Sequence, residues 1–287
     1  MAQNYSKVVL VTGSNGQLGS TLVEYLNDYY KVNPGFNMDM VLDVTNKNQL
    51  KFVIDNINPD YIVNCAAMTD VDRCEIDREK AYNVNVNGLK NLLSLTDKKT
   101  KIIHISTDYI FDGSKKFFNE EDLPNPLSYY GKIKLESENV LRSSNREYFI
   151  LRTSVIYNDS HHNFYTWTFN SLQNNQEIKV VTDQTSNPTW TWSISEVIYK
   201  SMLNNLTGVY HYGGADVLSR YDFAIKIANM FNFDLDNIIP IKTCELKQTA
   251  KRPSISTLDS NKIKDRINIE HPSMDYIIST FKDRKDV

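Results

Sequence analysis

The segment KVVLVTGSNGQLG, residues 7–19, joins a short apolar run to a glycine-rich turn. Residues 7–12 form a continuous apolar stretch, which is typical of a strand buried on both faces. Apolar residues at helical spacing follow the turn: Leu18, Leu22, Val23 and Leu26. The segment therefore predicts a strand–turn–helix unit, in which the G-x-x-G-x-x-G turn and the helix N-terminus can receive a pyrophosphate. Glycine also marks ordinary turns, and the place of this pattern at the head of the chain favours cofactor binding.

Apolar runs and helical patterns alternate through the first 157 residues. The predicted strands are residues 7–12, 60–67, 101–106 and 148–152, and the predicted helices are residues 18–26, 81–95 and 128–141. This alternation predicts an α/β fold, a Rossmann-like doubly wound parallel sheet with helices on both faces.

The pattern is less regular after residue 155, where polar loops separate the apolar segments. A helix at residues 193–203 and a strand at 208–212 are predicted to return to the sheet. We expect residues 1–157 and 192–232 to form the dinucleotide-binding domain. Residues 158–191 and 233–287 are expected to form a smaller C-terminal substrate-binding lobe.

Composition limits the classes of function. The 287 residues are 41% hydrophobic and 23% charged with a net charge of −3, and the basic residues are scattered, which argues against nucleic acid as a partner. The N-terminus resembles neither a signal peptide nor a membrane span, so we expect a cytoplasmic protein without a membrane partner. The three cysteines lack metal-ligand spacing, and reduced thiols are expected.

Tyr130 and Lys134 are four residues apart within a predicted helix, so they share one face. A nearby ammonium group can lower the pKa of a tyrosine, and such a tyrosine can donate a proton to a developing alkoxide. The same spacing also occurs by chance on solvated helices. Tyr129 and Lys132 are neighbouring residues of the same types, but Ile133 lies four residues after Tyr129.

Thr107 and Asp108 follow the apolar strand at residues 101–106. Ligands of doubly wound folds bind beyond the carboxyl ends of the strands, where a threonine hydroxyl can polarise a substrate carbonyl. Asp108 can orient that hydroxyl or bind a sugar hydroxyl, although both residues also suit a plain loop. Asp43 follows another apolar run and can contact adenine or ribose, or can equally cap a turn.

Together these segments resemble the extended short-chain dehydrogenase/reductase family, and within it the dTDP-4-dehydrorhamnose reductase group. The similar segments span nearly the whole chain: VTGSNGQLGS (11–20), LDVT (42–45), PDYIVNCAAMTDVDRCE (59–75), NVNVNG (83–88), HISTDYIFDG (104–113), NPLSYYGKIKLESE (125–138), LRTSVIY (151–157), DQTSNPTW (183–190) and KRPSISTLD (251–259). Because these motifs occur jointly and in order, the resemblance is specific.

The resemblance implies a nicotinamide cofactor, NADPH or NADH, and a nucleotide-sugar substrate. It places the catalytic threonine, tyrosine and lysine on Thr107, Tyr130 and Lys134. The implied cofactor contacts, besides Tyr130 and Lys134, are Gly13, Asn15, Gly16, Gln17, Leu18, Gly19, Asp43, Val44, Ala66, Ala67 and Met68. The expected substrate contacts are Thr107, Asp108, Tyr130, Val155 and Arg252. Asn85 is expected to tie a helix to a neighbouring strand.

This sequence departs from the family pattern at three places. Val155 stands where tryptophan is frequent near the deoxysugar, so the sugar pocket is expected to differ. Thr21 lies near the position of a glutamate that helps to bridge dimers through a metal in some members. We therefore expect no metal there, and a homodimer is left open. Residues 30–36 contain neither a clear ribose-binding acid nor a clear phosphate-binding arginine, so NADH and NADPH are not distinguished.

The main hypothesis is reduction of the C4 ketone of a nucleotide-linked 4-keto-6-deoxyhexose in activated deoxysugar biosynthesis. Arg252 is expected to bind the diphosphate, because a guanidinium binds phosphate oxygens in a bidentate manner, with a surface salt bridge as its alternative role. A UDP-linked 2-acetamido-2,6-dideoxy-4-hexulose is a second substrate hypothesis. The resemblance also leaves open a non-catalytic regulatory subunit of the methionine adenosyltransferase β type. Dehydration is disfavoured, because Tyr109 and not a glutamate follows Asp108.

Overall fold

The computed structural model of the protein describes residues 6–35 and 41–285. The strands are β1 (Val8–Thr12), β2 (Lys31–Asn33), β3 (Tyr61–Asn64), β4 (Lys101–Thr107), β5 (Tyr148–Thr153), β6 (Ile156–Tyr157), β7 (Ile178–Val181), β8 (Thr185–Ser186), β9 (Thr189–Trp190), β10 (Gly208–Tyr212), β11 (Leu218–Ser219) and β12 (Ile238–Ile241).

The α-helices are α1 (Gln17–Leu26), α2 (Lys47–Ile57), α3 (Val71–Ile76), α4 (Arg78–Tyr82), α5 (Gly88–Leu95), α6 (Tyr129–Arg142), α7 (Phe164–Gln173), α8 (Thr191–Leu203), α9 (Arg220–Phe231), α10 (Asn261–Ile267) and α11 (Met274–Lys285). A π-helix covers Asn83–Asn87, and short 3-10 helices cover Asp108–Ile110, Leu235–Asn237 and Thr243–Glu245.

Six parallel strands form the central sheet in the order β10-β5-β4-β3-β1-β2. From β1 the chain first moves to β2 and then crosses to β3 on the other side of β1. The strand order therefore reverses between β1 and β3, which is where doubly wound sheets bind ligands at their carboxyl edge. The predicted Rossmann-like fold is confirmed.

Apolar residues cover both faces of this sheet. On one face Leu22 of α1 and Ile198 of α8 pack in a cluster with strand residues and with Ile263 of α10. On the other face Leu50 of α2 and Leu92 of α5 pack against strand residues. Because the strands are buried on both sides, their sequences are continuously apolar, which is why the runs at 7–12 and 101–106 predicted them.

Helices α7, α9 and α11 form a separate apolar cluster beyond the carboxyl edge of the sheet. Tyr165 of α7, Phe223 of α9 and Phe281 of α11 are fully buried in one aromatic cluster. Helix α9 therefore packs with the lobe helices, whereas α10 packs on the central sheet. The predicted boundaries group residues 192–232 with the sheet and residues 233–287 with the lobe. The packing of α9 and α10 differs from that grouping, and the division into domains stays a prediction.

The helix predicted at residues 81–95 is not continuous. Its middle forms the π-helix Asn83–Asn87, and within that wider turn the buried Asn85 side chain exchanges two hydrogen bonds of 3.1 Å with the main chain of Met68. Asn85 thus ties this helix to the loop after β3, as expected. That loop begins earlier than predicted, because β3 ends at Asn64 and not at residue 67.

A buried ion pair fixes α6 to the sheet. The Arg152 guanidinium of β5 donates to both carboxylate oxygens of Glu138 on α6, at 2.9 and 2.7 Å. Both side chains are essentially inaccessible to solvent, at 1% and 0% exposure. Ser106 of β4 donates to the same carboxylate at 2.6 Å, so one acidic group links the helix that carries Tyr130 to the strand end that carries Thr107.

The two arginines that contact Glu138 should differ in their effect on stability. Arg152→Met leaves a buried carboxylate without its bidentate partner and should lower the free energy of unfolding by about 3–5 kcal/mol. Arg142, whose side chain is 38% exposed, contacts the same carboxylate at 3.0 Å, and Arg142→Met should cost at most about 1 kcal/mol. Urea denaturation of both variants measures the contrast, and equal losses would contradict it.

Candidate active site

The glycine turn after β1 packs against the loop after β3. A Cβ atom on Gly13, whose φ is +64°, would lie 2.7 Å from the Ala66 backbone nitrogen. A Cβ atom on Gly19 would lie 2.2 Å from the Gly13 carbonyl oxygen. Gly16 precedes α1, and the first turn of that helix carries no acidic residue. The turn thus has the close backbone packing and the accessible helix N-terminus that a dinucleotide pyrophosphate requires.

One cavity of about 320 Å³ brings the glycine turn and the predicted catalytic residues together. The predicted site residues that line it are Gly13, Gly16, Gln17, Leu18, Gly19, Ala67, Thr107, Asp108, Tyr130, Lys134 and Val155. An outer cavity of about 680 Å³ adjoins it, and Arg252 lines that one. Residues that are distant in sequence therefore surround one site at the switch point of the sheet.

Tyr130, Thr107 and Asp108 lie together in the inner cavity. The Thr107 hydroxyl donates to the Asp108 carboxylate at 3.0 Å. Burial raises the pKa of Tyr130 above its usual range, the charge of Asp108 raises it further, and the neighbouring Thr107 hydroxyl opposes both. Tyr130 therefore retains its proton at neutral pH, as a general acid must before it donates.

Lys134 is held beneath β4. Its Nζ donates to the Ile105 carbonyl oxygen at 2.7 Å and lies 3.4 Å from Nε2 of the buried His104. Burial lowers the pKa of Lys134 to about 8, and the charge of Glu138 opposes this shift. In this arrangement burial and the charge of Asp108 dominate the pKa of Tyr130, and the effect of Lys134 on that pKa stays a prediction.

Val155 occupies a strained corner between β5 and β6. Its φ is +42°, in the left-handed region that a β-branched residue rarely adopts. Two hydrogen bonds flank the corner, since Thr189 N–H donates to the Val155 carbonyl at 3.1 Å and the Ser154 hydroxyl donates to Asp108 at 2.7 Å. The Val155 side chain lines both cavities, so the expected replacement of the family's tryptophan does lie at the site.

Other predicted site residues lie around this centre or outside it. Asp43 is exposed, and its carboxylate accepts two hydrogen bonds of 2.8 Å from Thr45. Val44 is buried, and Asn15 lies in the glycine turn. Ala66 and Met68 belong to the loop after β3, where Ala66 contacts the Gly13 turn. Their roles toward a cofactor stay predictions.

Arg252 is paired with an acidic residue of α3. Its guanidinium makes two hydrogen bonds with Asp72 of α3, at 3.1 and 2.9 Å, and a third with the Ala250 carbonyl. The same pairing holds the pKa of Asp72 below its usual range. Arg252 therefore forms a salt bridge, which was the alternative role expected for it. Its role in binding a diphosphate stays a prediction.

Two residues at the site were missed in the sequence. His104 contacts Lys134 and also Asn64, at 3.2 Å through Nδ1. Arg220, the first residue of α9, lines both cavities. A sequence signal existed for Arg220, because a cation in the first turn of a helix opposes the helix dipole and calls for an explanation.

Residues 7–285 match the family described as RmlD substrate binding domain. The chain belongs to this family. It is 35% identical over 280 residues to the dTDP-4-dehydrorhamnose reductase of Aggregatibacter actinomycetemcomitans, an alignment that covers 91% of this chain and 94% of that protein. The resemblance predicted from the motifs is thereby confirmed.

Two further proteins are similar to this chain over most of its length. The dTDP-4-dehydrorhamnose reductase (rfbD) of Bacillus anthracis str. Ames, in complex with NADP, superposes with a TM-score of 0.90 at 33% identity and covers 97% of this chain and 99% of its own. Methionine adenosyltransferase 2 subunit beta of Bos taurus is 29% identical over 272 residues, covering 89% of this chain and 81% of its own.

Two further observations concern membranes and metals. Within residues 6–35 and 41–285, no helix has both the length and the apolar character needed to cross a membrane. The same part of the chain contains no cluster of three or more histidine, cysteine or acidic residues arranged to hold a metal. At the position of the expected metal-bridging glutamate, the Thr21 hydroxyl contacts the Gln17 carbonyl and the Thr191 hydroxyl, at 2.9 and 3.0 Å.

The buried Lys134 should make stability depend on pH. Its pKa is lowered from 10.5 to about 8 in the folded protein, so between these values the unfolded chain binds more protons and stability rises with pH. The free energy of unfolding of the wild type, relative to Lys134→Met, should therefore increase by about 3 kcal/mol between pH 8 and 10.5.

Denaturation of the wild type and of Lys134→Met across this pH range measures the difference between their free energies of unfolding. Groups that titrate alike in both proteins do not contribute to this difference. Lys132→Met, at an exposed position of the same helix, is the matched control and should show no such trend. A difference between wild type and Lys134→Met that stays constant with pH would contradict the lowered pKa.

Proposed function

We propose that this protein is an NAD(P)H-dependent reductase that acts on the C4 ketone of a nucleotide-linked 4-keto-6-deoxyhexose. The observation that carries the proposal is the inner cavity of about 320 Å³, which Tyr130, Thr107 and Lys134 line together with the glycines of the turn. The names of the similar proteins support the same reaction, since several are dTDP-4-dehydrorhamnose reductases.

The residues of the cavity fit a nicotinamide dinucleotide. Gly13, Gly16 and Gly19 line the cavity without side chains, so a pyrophosphate can approach the backbone of this turn. Lys134 also lines the cavity, and its ammonium group can donate to ribose hydroxyls. The cofactor supplies a hydride to the ketone carbon, and NADPH and NADH both fit this proposal.

The protein's own residues manage the proton. Tyr130, whose raised pKa keeps it protonated, donates its hydroxyl proton to the ketone oxygen as that oxygen gains charge. Thr107 lines the same cavity, and its hydroxyl can hydrogen-bond the same ketone oxygen and polarise the carbonyl. The hydroxyls of Thr107 and Ser154 both donate to the Asp108 carboxylate, and these hydrogen bonds fix the position of Thr107.

The outer cavity suits the nucleotide part of the substrate. Aromatic rings of Phe164 and Trp167 and the cationic groups of Lys179 and Arg252 line it. Aromatic faces can stack on a base, and cations can neutralise a diphosphate. The valine at position 155 keeps a UDP-linked 2-acetamido-2,6-dideoxy-4-hexulose as a second candidate substrate, because it leaves room near the sugar that a tryptophan would fill.

A regulatory role is the alternative from another class, since methionine adenosyltransferase 2 subunit beta is also similar to this chain. Thr107, Tyr130 and Lys134 are all retained in one cavity, which favours the enzyme. Rapid turnover of a ketosugar nucleotide would decide for the reductase. A stable complex with a methionine adenosyltransferase, without turnover, would decide for the regulatory subunit.

Replacing the proposed acid should abolish reduction. Tyr130→Phe should lower kcat by about 10²–10⁴-fold with a panel of dTDP- and UDP-linked 4-ketosugars, because the phenol that donates the proton is removed. Tyr129→Phe is the matched control, since that hydroxyl contacts the Arg78 carbonyl at 3.4 Å, and its activity should remain near normal. Oxidation of NADPH and of NADH, followed by absorbance, measures both. Near-normal reduction by Tyr130→Phe would remove Tyr130 from the mechanism.

A further inference from the structure

Arg220 stands at the junction of the two cavities. Seven residues line both cavities: Gln17, Thr69, Val71, Tyr109, Val155, Ile156 and Arg220. Arg220 is the one cationic residue among these seven. A ligand that extends from the inner cavity into the outer one runs along the wall to which this guanidinium belongs.

Within the described residues, Arg220 forms no ion pair with a carboxylate. In the described part of the chain, no carboxylate oxygen lies within the 4.0 Å that defines an ion pair with this guanidinium. Its guanidinium lies over the ring of Phe164, 5.1 Å from the centroid. Its charge also acts to lower the pKa values of the buried Asp108 and Tyr109, which lie nearby without an ion pair. Arg252 differs in this respect, because both of its terminal nitrogens are bonded to Asp72.

The position of Arg220 in its helix adds a cost. A cation in the first turn of α9 lies at the positive end of the helix dipole, which is unfavourable. Arg220 is not needed to cap the N-terminus of α9, because Ser219 and Asp222 form a complete capping box there. A partly buried, unpaired cation at this place is explained if a bound anion balances it.

We propose that Arg220 binds the diphosphate of the nucleoside diphosphate sugar where it crosses from the inner to the outer cavity. This inference rests on the proposed function, because it assumes a sugar in the inner cavity beside Tyr130 and a nucleoside in the outer cavity. The diphosphate then lies at the shared wall, and its negative charge meets the one unpaired guanidinium there. Arg252, already paired with Asp72, is a secondary contact at most.

Binding of dTDP and UDP, without any turnover, tests this assignment. Arg220→Gln should weaken both ligands by about 10- to 100-fold in calorimetry, because charge-assisted hydrogen bonds to phosphate are lost. Binding of thymidine, followed by saturation-transfer NMR, should not change, since a nucleoside has no phosphate. Lys226→Gln, on the same helix and paired with Asp275 at 2.8 Å, is the matched control and should bind all ligands as the wild type does.

The outcomes separate this inference from the proposed function. If the wild type binds dTDP or UDP and Arg220→Gln binds them equally well, the assignment of Arg220 is wrong while the reductase proposal stands. If Arg220→Gln loses thymidine to the same extent as dTDP, Arg220 contacts the nucleoside and not the diphosphate. If the folded wild type binds neither dTDP nor UDP, the proposed substrate class itself fails. Unfolding midpoints of the two variants establish that each is folded.

Discussion

Gly19 packs so closely against the carbonyl of Gly13, and Gly13 against the backbone of Ala66, that neither position has room for a side chain. These two contacts bring β1, α1 and the loop after β3 together at the point where the strand order reverses. The remaining parts of the site depend on this packing, because it sets the depth of the inner cavity below Tyr130 and Thr107. A methyl group at either glycine would separate the elements that form the cavity.

Much of the fold could be predicted because burial on both faces makes parallel strands continuously apolar. The helix at 128–141 and the strand at 208–212 were predicted nearly at their observed bounds. The π-helix at Asn83–Asn87 could not be predicted from apolar periodicity, and it accompanies a contact between Asn85 and Met68, 17 residues away. Apolar periodicity reports which face is buried and not which local hydrogen bonds form.

The candidate site divides in the same way. Thr107, Tyr130 and Lys134 could be named from motif and resemblance, and the structure brings all three to one cavity. The pKa shifts of these residues could not be predicted from the sequence, because burial and the neighbouring groups determine each pKa. Asp72 pairs with Arg252 across 180 residues of sequence, and no local pattern reveals which arginine is neutralised and which remains unpaired.

The corner at Val155 has a consequence for redesign of the sugar pocket. Its backbone is left-handed, with φ +42°, and strain of this kind belongs to the position and not to the valine. Tryptophan or leucine introduced there would inherit it, whereas glycine and asparagine adopt this conformation at little cost. A library that varies side-chain volume at this position would therefore also vary backbone energy. Changes in substrate preference would have to be compared between variants of equal stability.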